Sequence, residues 1–306
     1  MKTEFASLYE LFEALPDEQA AIDHFRAIRW KNGEFCPFDG TMDIYHFSDN
    51  RTHKCATCRR RFSIKVGTIF EDTKIPLRKW MAAIWLITAH KKGIASTQLA
   101  RDIAVTQKTA WFMLHRLRHA ARTRAFSRRL KGAVEIDETF IGGKEANKHE
   151  SKRLHKGRGG VGKAIVLGVL ERNGELRAGT VTDTKATTLQ PIVRANVEAG
   201  ANIYTDEHGA YRGLQGAYNH HTVNHGAGEY VRHFHAHTNS IESAWALLKR
   251  QIVGIHHWVS PKHLDRYVAE ATWRFNRREV ADGQRVSEFL ARVDGRLRYA
   301  DLIGAV

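Results

Sequence analysis

The chain has 306 residues, 42% of them hydrophobic and 26% charged, with a formal net charge of +15. Those values predict a soluble chain of one to three domains with a substantial core, and no apolar run approaches the roughly 18 residues of a membrane span. The positive excess favours a polyanionic partner, and three cysteines, an odd number, argue against a disulfide framework and for a reducing, cytoplasmic compartment.

Residues 1–30 carry two amphipathic helical patterns. Leu8, Leu11, Phe12 and Leu15 form one apolar face; Asp17 caps a second helix that turns Ala21, Ile22, Phe25 and Ile28 inward. Glu4, Glu10, Glu13 and Asp17 interrupt any signal-peptide pattern. These residues read as packing elements.

Residues 31–72 read as a zinc-ribbon module. Cys36-Pro-Phe-Asp39 and Cys55-Ala-Thr-Cys58 resemble two metal knuckles around a short hairpin, which suits structural zinc in a closed tetrahedral site. Asp39 stands where a second cysteine of the first knuckle belongs. Asp39, His46 and His53 are the candidates for fourth ligand, and a ribbon that folds without metal is the competing reading. Arg59, Arg60 and Arg61 line one edge of the module with positive charge, suited to DNA.

Residues 73–130 read as a helix-turn-helix region. A strongly apolar helix fills 75–93, with Pro76 in its first turn and Gly93 as its stop. A short helix follows over 96–103, Ala104 and Val105 turn the chain, and Thr106 caps a longer helix to about Arg122. Leu99, Ala100, Val105, Ala110, Met113, Leu114 and Leu117 have the spacing of a helix-turn-helix core. Gln107, Lys108 and Thr109 would then meet base edges or phosphates, and Arg116 and Arg118 belong to a basic run, 103–134, without Asp or Glu. A plain helical hairpin is the bland alternative.

Beyond a basic linker at 124–133, residues 131–306 alternate strand and helix. Val134–Phe140 is a strand with Asp137 on one face, followed by a Gly- and Lys-rich loop. Strands are expected at 164–170 and 176–181, turning at Asn173-Gly174, then a helix over 187–198, a strand at 203–205 ending near Asp206, and a short strand at 221–223. Two late helices follow, 239–253 and 261–276. In the first, Ile241, Trp245, Leu248 and Ile252 form a core stripe, while Asn239, Glu242 and Lys249 share a neighbouring face. Asp137 and Asp206 on strands and Glu242 on a helix are the oxygen donors that a pair of hard divalent cations, Mg²⁺ or Mn²⁺, requires. Glu138 and Glu207 point to the opposite strand faces and read as secondary. His220, His221, His225, His233, His235 and His237 crowd the approach to the late helix without helical metal-ligand spacing.

Five stretches, Val134–Gly143 (VEIDETFIGG), Ile203–Gly209 (IYTDEHG), His237–Arg250 (HTNSIESAWALLKR), His263–Glu270 (HLDRYVAE) and Arg274–Arg278 (RFNRR), together resemble the ISXO-like group of DDE insertion-sequence transposases. The resemblance covers nearly the whole chain. It implies a multidomain α+β protein: zinc ribbon, helix-turn-helix, then a ribonuclease-H-like α/β catalytic domain with a mixed sheet. It implies a transposase that binds terminal inverted repeats and cuts and joins double-stranded DNA through two metal ions held by Asp137, Asp206 and Glu242, in a dimer or larger assembly at the nucleoid. Family members carry Asn near the third acid, so Asn239 is expected to orient Glu242, water or phosphate; Lys249 takes the place of the family's phosphate-contacting base. No nucleotide cofactor is implied. A domesticated, non-cutting DNA-binding regulator is the rival reading.

Overall fold

Two side-chain caps open the chain. Ser7 Oγ accepts from the Glu10 amide at 3.1 Å and starts α1 (Leu8–Ala14); Asp17 Oδ1 accepts from the Ala20 amide at 2.8 Å and starts α2 (Glu18–Arg29). The structure, a computed structural model, describes residues 5–122, 128–143, 147–154, 160–223 and 237–304. They fall into two units: residues 1–122 with 279–306, and residues 123–278.

In the first unit, β1 (Ile44–His46), β2 (Thr52–Cys55) and β3 (Arg61–Ser63) form an antiparallel ribbon in that order. α3 (Leu77–Ala89) starts after Pro76 and, from Trp80 to Ile87, is buried on every side, as that unbroken apolar run requires. Its first amides, Leu77 at 2.8 Å and Arg78 at 3.1 Å, donate to the carboxylate of Glu18 from α2. α4 (Ser96–Asp102) and α5 (Gln107–Ala120) form the helix-turn-helix pair. Ala104 carries the turn at φ +50°, and Thr106 caps α5 by accepting from the Thr109 amide at 3.2 Å.

The last residues depart from the expectation that the catalytic domain runs to the end of the chain. Residues 279–306 return to the first unit, with α9 (Asp282–Leu290) and α10 (Tyr299–Ile303), two helices the sequence reading did not anticipate. The Ile69 amide donates to the Val293 carbonyl at 2.9 Å, the Gly295 amide to the Gly67 carbonyl at 2.8 Å, and Arg29 Nε meets Asp294 at 3.2 Å. Gly283 sits so close to Phe5 that a Cβ on it would lie 2.2 Å from the Phe5 carbonyl oxygen.

The second unit is a five-stranded mixed sheet in the order β6-β5-β4-β7-β8. β4 (Ala133–Ile141), β5 (Ala164–Glu171) and β6 (Leu176–Val181) form an antiparallel meander; the second turn uses Asn173 at φ +58° before Gly174, as the Asn-Gly pair predicts. α6 (Ala186–Asn196) crosses over to β7 (Asn202–Thr205), parallel to β4, and β8 (Asn219–Thr222) is parallel to β7. This is the ribonuclease-H-like arrangement. Val134, Ile136, Leu167 and Val169 pack on Leu189 and Val193 of α6 on one face. Ile141, Val166 and Leu170 pack on the other face against α7 (Asn239–Gln251) and α8 (Pro261–Asn276), through Ile241, Trp245, Leu248, Leu264 and Val268. A π-turn, Ile252–His256, joins these helices, and Arg274 of α8 ties them together by donating to Glu270 and, at 2.7 Å, to Gln251. No helix among the described residues is long and apolar enough to cross a membrane.

The return of residues 279–306 has a direct test. Gly283→Ala should lower the unfolding free energy by about 1–3 kcal/mol, because its methyl group meets Phe5 backbone rather than a movable side chain. Urea unfolding of the full-length protein measures this; an unchanged midpoint would show that the C-terminal segment does not pack there.

Candidate active site

The register of β7 on β4 does the first part of the assembly. Val134 pairs with Ile203 and Glu135 with Tyr204 in parallel, so two residues further along Asp137, midway along β4, and Asp206, just past the end of β7, come side by side. Asp206 begins a turn of its own, its Oδ1 accepting from the His208 amide at 3.0 Å. Helix α7 then crosses β4 and β5 and brings Glu242, next to the buried Ile241, near Asp137.

Asp137 is held by a side chain that sequence reading assigned to core packing alone. Trp245 Nε1–H donates to Asp137 Oδ2 at 2.9 Å. The strand residue opposite Asp137 is Gly168, and a Cβ there would meet the Trp245 ring carbons at 2.5 Å. Glycine thus makes the slot through which the indole reaches the carboxylate. The face alternation of β5 reveals this slot only once the β4–β5 register is known.

The electrostatics are those of crowded acids. Burial pushes the Asp137 carboxyl up to about 6, Asp206 adds to the rise, the Glu138 amide and Trp245 oppose it, and Glu242 raises it further. Glu138, on the opposite strand face as expected, is half-buried beside Tyr211 and pushed up to about 7, chiefly by burial and also by Asp206 and Asp137. Glu207 is exposed. Glu242 accepts from Thr238 Oγ1 at 3.0 Å, and Thr238 makes no side-chain cap to α7; the Ile241 amide donates instead to Glu135 of β4 at 2.9 Å. Asn239 and Lys249 are exposed on α7. Asp137 lies within electrostatic reach of both Asp206 and Glu242, but among the described residues the tight donor cluster is that of the ribbon.

That cluster is Cys36, Asp39, Cys55 and Cys58, whose donor atoms lie within 4.8 Å of one another. Cys36 Sγ and Cys58 Sγ are 3.7 Å apart, against roughly 3.8 Å for two thiolates on a tetrahedral zinc with bonds of about 2.3 Å. Asp39 Oδ2 lies 3.4 Å from Cys55 Sγ, and hydrogen bonds from Thr41 hold its carboxyl well below the usual carboxylate range. The donor set is one that would fit zinc, with Asp39 beside the three thiols. His46 and His53 are engaged elsewhere: their Nδ1 atoms face each other at 3.0 Å, His46 Nε2 meets Glu34 at 2.8 Å, and His53 is buried against Trp30 and Phe62.

Of the basic residues singled out, Arg59, Arg60, Arg61 and Lys108 are exposed, with Arg60 over the Phe38 ring and Arg61 over Phe47, each at 4.8 Å. Gln107 is exposed but its amide donates to Ser96 Oγ at 2.9 Å, and Thr109 is half-buried at the cap. Arg116 and Arg118 are corrections. Arg116 is buried and donates to the Ile69 carbonyl at 2.6 Å, and Arg118 is 1% exposed. Charge alone put them on the surface, whereas the inner half of α5 is enclosed within the first unit, whose C-terminal return sets Tyr299 against Phe112 at 5.3 Å. Among the histidines, His220 Nε2 lies 2.8 Å from Thr205 Oγ1, His221 stacks on Tyr204, and His237 Nδ1 lies 3.3 Å from Glu135. His225, His233 and His235 fall outside the described residues.

The crowding predicts a pH signature in metal-free protein. The folded Asp137 binds its proton more tightly than an unfolded Asp of ordinary value 3.8, so stability falls as pH rises from about 4 to about 6 and stays reduced above that. Asp137→Asn should therefore be about 1–3 kcal/mol more stable than the parent at pH 7.5 in chelator and nearly equal to it at pH 4. Denaturant titrations at the two pH values decide; equal stability at both removes the electrostatic cost inferred here.

The comparisons with known proteins agree with this geometry. Residues 129–276 match the ISXO2-like transposase domain, and residues 16–61 match the transposase zinc-ribbon domain. A protein of Halobacterium salinarum, described as an "uncharacterized protein in transposable element ISH50", is 29% identical over 265 residues, 82% of this chain and 88% of its own length. An "uncharacterized transposase-like protein" of Haemophilus influenzae is 30% identical over 104 residues, 33% of this chain and 80% of its own. A chain in the crystal structure of a pre-cleavage Mos1 transpososome aligns at 11% identity over 71% of this chain and 80% of its own, with a TM-score of 0.24, too loose a superposition to carry an inference. With a ribbon whose donors suit zinc in its first unit and Asp137 flanked by Asp206 and Glu242 on a ribonuclease-H-like sheet in its second, the chain belongs to the ISXO2-like transposases.

Proposed function

We propose that the protein binds the terminal inverted repeats of an insertion sequence and catalyses DNA strand cleavage and strand transfer. The observation that supports this most directly is the placing of Asp206 and Glu242 near Asp137, close enough that both raise its carboxyl. Three like charges in one place are costly unless cations neutralise them, and oxygen donors on rigid elements are what Mg²⁺ and Mn²⁺ accept. These three residues would hold the ions. Bound there, two such ions supply Lewis-acid activation of water or a 3′-hydroxyl and stabilisation of the leaving oxygen in an in-line phosphoryl displacement.

The chain's own residues do the rest. Trp245 fixes the rotation of the Asp137 carboxylate, and Thr238 engages that of Glu242. Lys249, two turns after Glu242 on the same helix, contributes a phosphate contact, and Asn239 orients water or phosphate at the start of α7. On the first unit, exposed Arg59, Arg60, Arg61 and Lys108 with Gln107 and Thr109 form the surface for duplex DNA, while zinc on Cys36, Asp39, Cys55 and Cys58 staples the ribbon. Two element ends must be processed together, so a dimer or larger assembly on DNA is the working form.

The test is a cleavage assay on labelled element ends with Mg²⁺ or Mn²⁺. Replacing Asp137, Asp206 or Glu242 with Ala should abolish cutting and joining and leave end binding within about twofold of the parent, whereas Asn239→Ala and Lys249→Ala should each reduce the rate by about 10–100-fold without abolishing it. Acid variants that cut like the parent would sink the reading. A parent that binds ends yet never cuts would turn the case to a domesticated regulator.

A second measurement concerns the ribbon. Elemental analysis of protein purified without added metal should find about one zinc per chain. The Cys55→Ser/Cys58→Ser double variant should lose it and unfold at lower denaturant, while His46→Ala should retain it. Zinc-free parent protein that is as stable as the zinc-loaded form would overturn the structural role.

A further inference from the structure

Arg172 stands just beyond β5, outside every motif that marks the three acids, yet it touches a neighbour of each. Its Nε donates at 2.7 Å to Glu135, two residues before Asp137 on the same face of β4. Its Nη2 donates at 2.6 Å to the carbonyl of His237, directly before the N-cap of α7, the helix of Glu242. Its guanidinium lies 4.1 Å from the centroid of Tyr204, two residues before Asp206, and that ring stacks on His221 at 5.1 Å.

Glu135 is the other half of the device. It has no exposed surface, and besides Arg172 it accepts from the Ile241 amide in the first turn of α7 at 2.9 Å and lies 3.3 Å from His237 Nδ1. A buried carboxylate needs such donors, and here they come from β4's two neighbours in space, the start of α7 and the end of β5. The three elements that carry the acids therefore share one planar cation and its buried counter-charge. A guanidinium suits this position because its fork donates in two directions while its face lies on a ring; an ammonium cannot do both.

We infer that Arg172, with Glu135, is a positioning residue that sets the spacing of Asp137, Asp206 and Glu242. The inference rests on the reading of those three as the divalent-cation ligands. Residues that orient ligands from behind typically change metal affinity by about 10–100-fold without making a metal bond.

The experiment uses the full-length protein and Mn²⁺ as probe, with titration calorimetry as one readout and cleavage rate against Mn²⁺ concentration as the other. Arg172→Lys should shift the Mn²⁺ half-saturation upward by about 10–100-fold. It should bind element-end DNA like the parent and recover cutting as Mn²⁺ is raised. Tyr204→Leu, which removes only the ring face, should shift the curve the same way by several-fold, on the order of the weight of one cation–π contact. Arg128→Lys, at the exposed pair with Glu171 at 2.6 Å in the same unit, should shift nothing. Superimposed Mn²⁺ curves for Arg172→Lys and parent overturn the inference; should Arg172→Lys fail to fold, an unshifted Tyr204→Leu curve overturns it equally. Asp137→Ala separates the two readings: if it binds Mn²⁺ and cuts like the parent, the metal site itself is misassigned. If it does neither while Arg172→Lys is unshifted, only the positioning role falls.

Discussion

A carboxylate sealed from solvent, Glu135, holds the first turn of α7 on the strand that carries Asp137. The rest of the second unit depends on that junction. α7 packs through Ile241, Trp245 and Leu248, but apolar contacts are non-directional and would tolerate a helix slid or turned by a few degrees. The bond from the Ile241 amide to Glu135 and the bond from the Trp245 indole to Asp137 are directional, and they act at two points one turn apart on one helix. Together they fix where Glu242 points.

The same region is locally unfavourable. Asp137 and Glu138 are half-buried on opposite faces of the middle of β4 with Asp206 near both, and each carboxyl is raised by burial and by its neighbours. A sheet chosen only for stability would place apolar residues there. Retaining ionisable groups at a cost in stability is what a site for cationic ligands requires, and the surrounding core, Val134 and Ile136 on one face and Val166 and Leu170 on the other, offsets it.

The first unit solves a different problem. A three-stranded ribbon of short strands has little core of its own, so it relies on a tight cluster of three thiols and a carboxylate. The helices beside it gain from a segment nearly the length of the chain away: α9 lies against Phe5 and the Val293 carbonyl meets the Ile69 amide. The basic residues divide accordingly. Those on the ribbon edge and at the start of α5 stay exposed, and those in the enclosed half of α5 become structural.

Much of this was legible in the residues themselves. Period and capping predicted α2 from Asp17, α5 from Thr106 and α8 from Pro261; the Asn173-Gly174 pair predicted the hairpin; and the knuckle spacing brought out Cys36, Asp39, Cys55 and Cys58. These signals are local, set by backbone sterics, unsatisfied helix amides and side-chain alternation within a few residues. Tertiary structure alone decided the rest: the placing of Asp39, and not His46 or His53, beside the three thiols, Gly168 as the slot for Trp245, Arg116 and Arg118 as interior residues, the return of residues 279–306, and the meeting of Arg172 with Glu135, Tyr204 and His237. Each of those depends on which strand pairs with which, in which register, and on which helix face is covered, and such long-range pairings leave no short-range trace in the order of the residues.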